Sequence, residues 1–297
     1  MIAGPSAERA TAALRDCRLC PRDCGVDRTL GPAGAFCRLG AQALVYKELL
    51  SLGEEAALGG PTWLVDVGGC SLRCLFCSEW QFVVRPHQQP ARAIDAAWFA
   101  QRHAQRKVQG ARTLSVVGGD PTPSAPGVLA ALAQQADPLP LVWNCNGLVA
   151  RQAWDLLDPA VAVWSIDVKF GNARCAERLA GARGFDMLGA VDGSVARALG
   201  GPRYPGLPRL IVRHLLMPGH LECCTRPVAD RLAGLLAAVP VHHAVVNWMT
   251  AYVPPMDRRS RAPAAVGLSR WPDAGESARG IAIGRERLGP MLVVDGR

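Results

Sequence analysis

Gly68-Gly69-Cys70-Ser71-Leu72-Arg73-Cys74-Leu75-Phe76-Cys77 stands directly after the apolar stretch Trp63 to Val67. Valines and a tryptophan in so short a run predict a buried strand, and the paired glycines predict a sharp exit from it. The cysteines are spaced C-x3-C-x2-C, so they fall in the loop that follows the strand. Three thiolates can hold three irons of a cubane iron-sulfur cluster. Such clusters usually take four cysteines, so a three-cysteine site leaves one iron open to a cofactor or substrate. A zinc ion would instead recruit a fourth ligand, Cys145 or a histidine. The spacing favours the cluster and leaves zinc standing.

Working outward, the same grammar recurs. Apolar strands are read at Thr113 to Val117, Leu141 to Trp143, Val161 to Asp167, Leu210 to Leu216 and Ala244 to Met249. Helical segments alternate with them, the clearest at Pro227 to Ala238, where Val228, Leu232, Leu235 and Leu236 share one face. Strand-helix alternation predicts an α/β class with a parallel sheet. Six units rather than eight predict a partial (β/α)6 TIM-like barrel with one side open or covered by other segments. Three regions are expected: a cysteine-rich N-terminal module at 1–58, the barrel at 59–256 and a C-terminal extension at 257–297. The module is turn-rich, with Leu44-Val45-Tyr46 readable as a strand or a helix turn. The extension holds a Pro- and Arg-rich linker from about Asp257, a helix near Glu276 to Leu288, and a last apolar piece, Met291 to Val294.

The composition of the 297 residues, 49% hydrophobic and 20% charged, fits a folded globular chain and argues against disorder. No apolar run approaches the ~18 residues of a membrane span. Met1-Ile2-Ala3-Gly4-Pro5 lacks a basic region followed by an apolar stretch, so a cytoplasmic protein is expected. The net charge of +8 comes from basic residues scattered along the chain, which argues against nucleic acid as a partner. Lys47, Lys107 and Lys169 are its lysines; the other basic residues are arginines, so a lysine is conspicuous.

Eleven cysteines without an export signal read as metal ligands rather than disulfides. Cys17, Cys20, Cys24 and Cys37 form C-x2-C-x3-C-x12-C in the N-terminal module, a second site for zinc or an auxiliary iron-sulfur cluster. Cys145 is a possible extra ligand or redox residue. Cys175, Cys223 and Cys224 are expected to be small buried or loop residues.

Chemistry in β/α barrels sits at the carboxyl ends of the strands, so each end can be inspected. The second ends in Gly118-Gly119-Asp120-Pro121-Thr122-Pro123, the third in Asn144-Cys145-Asn146-Gly147, the fourth in Asp167-Val168-Lys169. The fifth carries Arg213 and His214 and runs into Pro218-Gly219-His220; the sixth leads through Asn247 and Met249 to Tyr252. Each has a bland reading: a Gly-Pro turn, a simple ion pair, a solvated histidine. Strand alternation puts Asp167 and Lys169 on one face and separates Arg213 from His214, so Arg213 is expected to look inward and His214 to be structural. Several unusual polar groups at successive strand ends, above a cysteine loop, speak for a site.

These strings together resemble the radical S-adenosylmethionine (SAM) superfamily. With Cys17 to Val26, Val142 to Gly147 and Val212 to His220, the likeness is to the pyruvate formate-lyase activating enzyme-like branch, among members with an N-terminal cysteine module. The resemblance covers most of residues 17 to 252. It implies a [4Fe-4S] cluster on Cys70, Cys74 and Cys77 whose open iron chelates SAM. One electron then cleaves SAM to methionine and a 5′-deoxyadenosyl radical that abstracts hydrogen. It further implies Phe76 against the adenine, Gly118, Gly119 and Asp120 as a GGE-like turn at the methionine amino group, and Asp167 and Lys169 in the SAM pocket; Asn146 is a further candidate for binding the cofactor, and the inward-facing Arg213 a candidate catalytic residue. A flavodoxin- or ferredoxin-like electron donor and hydrogen abstraction from a glycine of a partner protein are implied as well. Asp120 in place of Glu is a small departure that keeps the charge, whereas Ser78-Glu79-Trp80 after the third cysteine, Asn144 in place of an aspartate and Tyr252 near a usual histidine put glycyl-radical activation in doubt. The alternatives are radical modification of a different peptide or small molecule, and a non-catalytic zinc-binding or interaction protein.

Overall fold

The computed structural model describes residues 7–52, 56–255 and 266–296. The start Met1 to Pro5, the boundary between 256 and 257, and the linker from Asp257 lie outside the described residues. The strands are β1 Leu44–Ser51, β2 Thr62–Val67, β3 Arg92–Ala93, β4 Thr113–Gly118, β5 Leu141–Cys145, β6 Val161–Asp167, β7 Leu210–Leu215, β8 Ala244–Met249 and β9 Leu292–Val294. Between and around them run α1 Ala7–Arg15, α2 Trp80–Val84, α3 Ala96–Val108, α4 Ala125–Leu132, α5 Arg151–Leu157, α6 Ala173–Ala180, α7 Met187–Leu199, α8 Arg226–Leu236 and α9 Ala274–Leu288.

The described strands form one sheet in the order β3-β1-β2-β4-β5-β6-β7-β8-β9. The six strands read from the sequence are β2 and β4 to β8, all parallel, so the (β/α)6 half-barrel is the observed architecture. Its two ends are capped differently, and the sheet is not closed. The apolar tail at Leu292–Val294 adds a parallel strand beside β8. Leu44-Val45-Tyr46 proves to open a strand, β1, which lies antiparallel on β2 and in turn carries β3. No described helix is long and apolar enough to cross a membrane.

Parallel strands covered on both faces should be apolar throughout, and every residue of β5 is buried. Trp63, Trp143, Trp164 and Trp248 are fully buried, one each on β2, β5, β6 and β8, and belong to the main core, while Val142, Val163 and Ile211 form a smaller buried cluster of their own. That core fixes the strands rigidly. Their carboxyl ends, where the packing opens, are where polar side chains can be presented.

His214, on β7, is wholly buried. Its Nδ1–H donates to the Val168 carbonyl at 2.7 Å, which leaves Nε2 to accept from the Thr225 hydroxyl at 3.0 Å. This neutral tautomer welds β7 to the β6 exit and to the start of α8, the structural role expected of it. Burial pushes the imidazole down to about 4 from an ordinary 6.5. The unfolded chain therefore binds a proton that the folded chain refuses between those values, and stability should fall as pH drops through that window. A loss of about 2 kcal/mol between pH 7 and pH 5 is expected from this group, measured by denaturant unfolding at the two values. His214→Asn should flatten that component of the pH dependence.

Candidate functional site

The cysteine loop is clamped on every side. Gly68 N–H donates to Leu44 O and Gly69 N–H to Phe82 O, both at 2.9 Å. Arg73 N–H and Leu75 N–H donate to Ala180 O and Leu179 O at the end of α6, at 2.9 and 2.8 Å. The Arg73 guanidinium bonds the carbonyls of Cys70 and Leu72 within the loop and reaches Phe36 O in the N-terminal segment. Arg22 donates to Ser71 O at 2.8 Å and Gly181 O at 2.6 Å. Arg22 and Arg73 both lie over the Phe36 ring, at 3.8 and 4.2 Å from its centre. The cysteine-rich N-terminal segment thus buttresses the loop directly.

The glycines at the end of β4 are required by this packing. Gly118 has φ +116°, and a Cβ there would sit 2.3 Å from Val67 O; at Gly119 it would sit 2.2 Å from Gly69 O. Any side chain would displace the cysteine loop. Gly119→Ala is therefore expected to destabilise the fold by about 2 kcal/mol through overpacking, read as a lower denaturation midpoint.

Above the loop opens a cavity of about 340 Å³. Cys70, Cys74, Phe76 and Cys77 form one wall, and Gly118, Gly119, Asn144, Cys145, Asn146, Asp167, Lys169 and Arg213 line the rest, with Leu215, Met217 and Met249. The period-2 geometry of strands explains the set, since 167/169 and 213/215/217 recur every second residue. Phe76 is held edge-on to Phe170, ring centres 6.2 Å apart. Tyr252 lies 6.4 Å from Phe76, is buried, and donates its hydroxyl to Leu268 O at 2.6 Å, so this departure supports Phe76 from behind rather than facing the cavity.

The charges in the cavity are ordered. Lys169 is paired with Asp167, and Arg213 Nε lies 3.6 Å from the other oxygen of the same carboxylate. Arg213 Nη2 also approaches Met249 Sδ at 3.3 Å. Burial alone would raise the Asp167 carboxyl, but Lys169 and Arg213 outweigh it and hold it below the usual range. Burial would lower Lys169, yet Asp167 and the neighbouring Cys74 raise it, so the ammonium stays charged. Glu79 adds a second carboxylate to the same lining, so the two cations and two acids of the cavity balance, with Lys169 the charge beside Cys74.

Burial pushes Cys70 well up and Cys74 up to about 12, with Lys169 pulling Cys74 the other way. Without a metal these sulfurs hold their protons; a bound metal would take them as thiolates. Cys70 Sγ already receives Leu72 N–H at 3.3 Å and Asn146 Nδ2 at 3.8 Å, the donors a thiolate needs. Asn146 also donates to Ser71 Oγ at 2.9 Å and accepts from Leu148 N–H, which fixes its amide.

Asp120 is not among the residues lining the cavity: its side chain is 1% exposed and its carboxylate accepts from Ser71 Oγ at 3.1 Å and Thr122 Oγ1 at 3.4 Å. The left-handed bend at Gly118 redirects the chain so that Asp120 follows the loop's back. Burial raises its carboxyl to about 6. Through this bond it holds Ser71, the residue after Cys70.

Cys17, Cys20, Cys24 and Cys37 line one small apolar pocket with Phe36 and Pro123. Buried Arg28 binds the carbonyls of Leu39 and Gly40 and points Nη1 at Cys17 Sγ, 3.5 Å away. Burial raises Cys20 to about 12 and raises Cys37. A third group is one that sequence spacing does not reveal: Cys175, His220, Cys223 and Cys224, each expected to be a buried, turn or loop residue, bring their ligand atoms within 4.8 Å of one another. The spacing His220-x2-Cys223-Cys224 was its one local signal.

An open parallel half-barrel with a thiol-walled cavity at its carboxyl end defines the class of this chain. It is 30% identical over 255 residues to the uncharacterized protein MJ0674 of Methanocaldococcus jannaschii, a match covering 83% of this chain and 69% of that protein. The chain belongs to the family of that archaeal protein. No family model matches the sequence. Among solved structures, Streptococcus suis SuiB bound to S-adenosylmethionine is similar with TM-score 0.47 and 11% identity, covering 76% of this chain. SuiB bound to its precursor peptide SuiA gives TM-score 0.47 and 12% identity over the same share. The chain spans about half the length of these structures, 47% and 46%.

Proposed function

We propose that this chain is a radical SAM enzyme: Cys70, Cys74 and Cys77 hold a [4Fe-4S] cluster, and the cavity above them holds SAM. The observation that carries the reading is the single cavity in which three thiols of one loop face Asn146, Asp167, Lys169 and Arg213. The donors suit the group: three soft sulfurs, N–H groups aimed at Cys70 Sγ, and a lysine beside Cys74. When bound, the cluster supplies one electron for reductive cleavage of SAM and so the 5′-deoxyadenosyl radical that abstracts hydrogen.

The chain's own residues do the rest. Lys169 and Arg213 offer fixed cationic donors to an anionic group, held in place by Asp167. Phe76 presents an aromatic face to a base, steadied by Phe170 and Tyr252. Val83, Leu215, Met217 and Met249 supply apolar wall and exclude water, which protects reactive species from side reactions. The four N-terminal cysteines make a second metal site, zinc or iron-sulfur, that braces the cluster loop through Arg22 and Phe36. A flavodoxin- or ferredoxin-like protein would serve as electron donor.

The destination of the hydrogen abstraction is, in this reading, a glycine of a partner protein, as in the pyruvate formate-lyase activating enzyme-like branch. Reduced enzyme incubated with SAM and with proteins encoded beside its gene should then give a glycyl-radical signal in electron paramagnetic resonance. SAM consumed without that signal would move the substrate to a different peptide or a small molecule.

A further inference from the structure

Cys175, His220, Cys223 and Cys224 come from three turns that the fold draws together. Cys175 lies in the first turn of α6, capped by Asn172, whose side chain accepts from Cys175 N–H at 2.8 Å. His220 precedes a π turn, Leu221–Thr225, that carries the other two cysteines, and π turns concentrate at functional sites. The two segments are pressed together at Gly171, where a Cβ would meet Cys224 O at 2.6 Å and Cys223 O at 3.0 Å. Asn172 Nδ2 reaches across to Cys223 O at 2.6 Å.

The spacing of the ligand atoms is that of a single ion. Cys175 Sγ and Cys223 Sγ are 3.7 Å apart, Cys223 Sγ and Cys224 Sγ 3.9 Å, and His220 Nδ1 is 3.2 Å from Cys223 Sγ. Tetrahedral zinc, with bonds of about 2.3 Å to sulfur and about 2.0 Å to nitrogen, gives edges of roughly 3.8 Å between sulfurs and roughly 3.5 Å from sulfur to nitrogen. A cubane spreads its thiolates over separate irons and would hold them further apart. A disulfide needs sulfurs about 2.05 Å apart, and these cysteines are free.

The histidine is set for the same task. Its Nε2 is 3.0 Å from Val266 O, and a carbonyl only accepts, so Nε2 carries the proton and Nδ1 turns its lone pair toward the sulfurs. A ligating imidazole fixed by a hydrogen bond from its other nitrogen is the usual second layer of a metal site. Asn172 Nδ2, 3.3 Å from Cys175 Sγ, adds an N–H donor to a would-be thiolate.

We propose that these four residues form a closed Cys3His site for one structural zinc ion, distinct from both cysteine arrays read in the sequence. The ion would staple the loop after β6, which carries Lys169, to the loop after β7, which carries Met217, and so hold two walls of the cavity at a fixed separation. The inference rests on this geometry alone and not on the chemistry assigned to the cavity. Zinc and iron per chain should be measured in anaerobically purified full-length protein, with zinc supplied during expression, and in the Cys175→Ser/Cys223→Ser variant. One equivalent of zinc per chain should be lost in the variant with iron unchanged. Equal zinc in the two proteins, or zinc absent from the parent, would overturn the site.

A second measurement avoids any folding defect of the variant. In the native protein, Cys175 and Cys223 should resist alkylation by iodoacetamide until a zinc chelator is added, with the modified residues located by peptide mass mapping. Alkylation at the same rate with and without chelator would count against zinc there. Because iron content and SAM cleavage report on the cavity, the two readings fail independently.

Discussion

Replacing Cys70, Cys74 and Cys77 together by Ala is expected to reduce 5′-deoxyadenosine formation to that of a control without protein, and to remove about four irons per chain. The loss should be complete because the three sulfurs belong to one loop, and Cys145, the other thiol lining the cavity among the described residues, stands at the end of β5 and offers one ligand in place of three. The loop itself should survive, since its clamps are backbone bonds and the arginine contacts of Arg22 and Arg73. Circular dichroism near that of the parent, with iron gone, is the accompanying result. Undiminished SAM cleavage by the variant would contradict the assignment.

Asp167→Ala is expected to have the next largest effect, on stability as well as activity. The carboxylate stands between Lys169 and Arg213, and all three side chains are about a fifth exposed. Removing it leaves two largely buried cations facing each other, which costs about 3 kcal/mol. A denaturant midpoint lowered accordingly would check this, and the double variant Asp167→Ala/Lys169→Met should recover part of the loss because the repulsion goes with the second cation. Independent, additive losses in that pair would show that the carboxylate does not act through Lys169.

The residues that could be read from the sequence are those whose position follows from a local period. Asp167 with Lys169, and Arg213 opposite His214, were placed by strand alternation, and the six parallel strands by their apolar runs. Asp120 could not be placed that way, because the bend at Gly118 breaks the alternation just before it and sends its carboxylate to Ser71. Leu44-Val45-Tyr46 stayed ambiguous because its strand character comes from antiparallel pairing with β2, a contact no local pattern reveals. Cys175 is separated from Cys223 by 48 positions, and only the close approach at Gly171 makes them neighbours. Tyr252 was read by its place in the chain, whereas its hydroxyl turns away to Leu268.

The central claim is that the thiols of one loop hold a cluster that activates SAM. It is tested most directly by purifying the protein without oxygen, reducing it, adding SAM and assaying iron, 5′-deoxyadenosine and methionine together. Brown protein with at least about four irons per chain, releasing 5′-deoxyadenosine only when reduced, is the predicted result. Colourless protein that carries zinc, holds no iron and leaves SAM intact would contradict it.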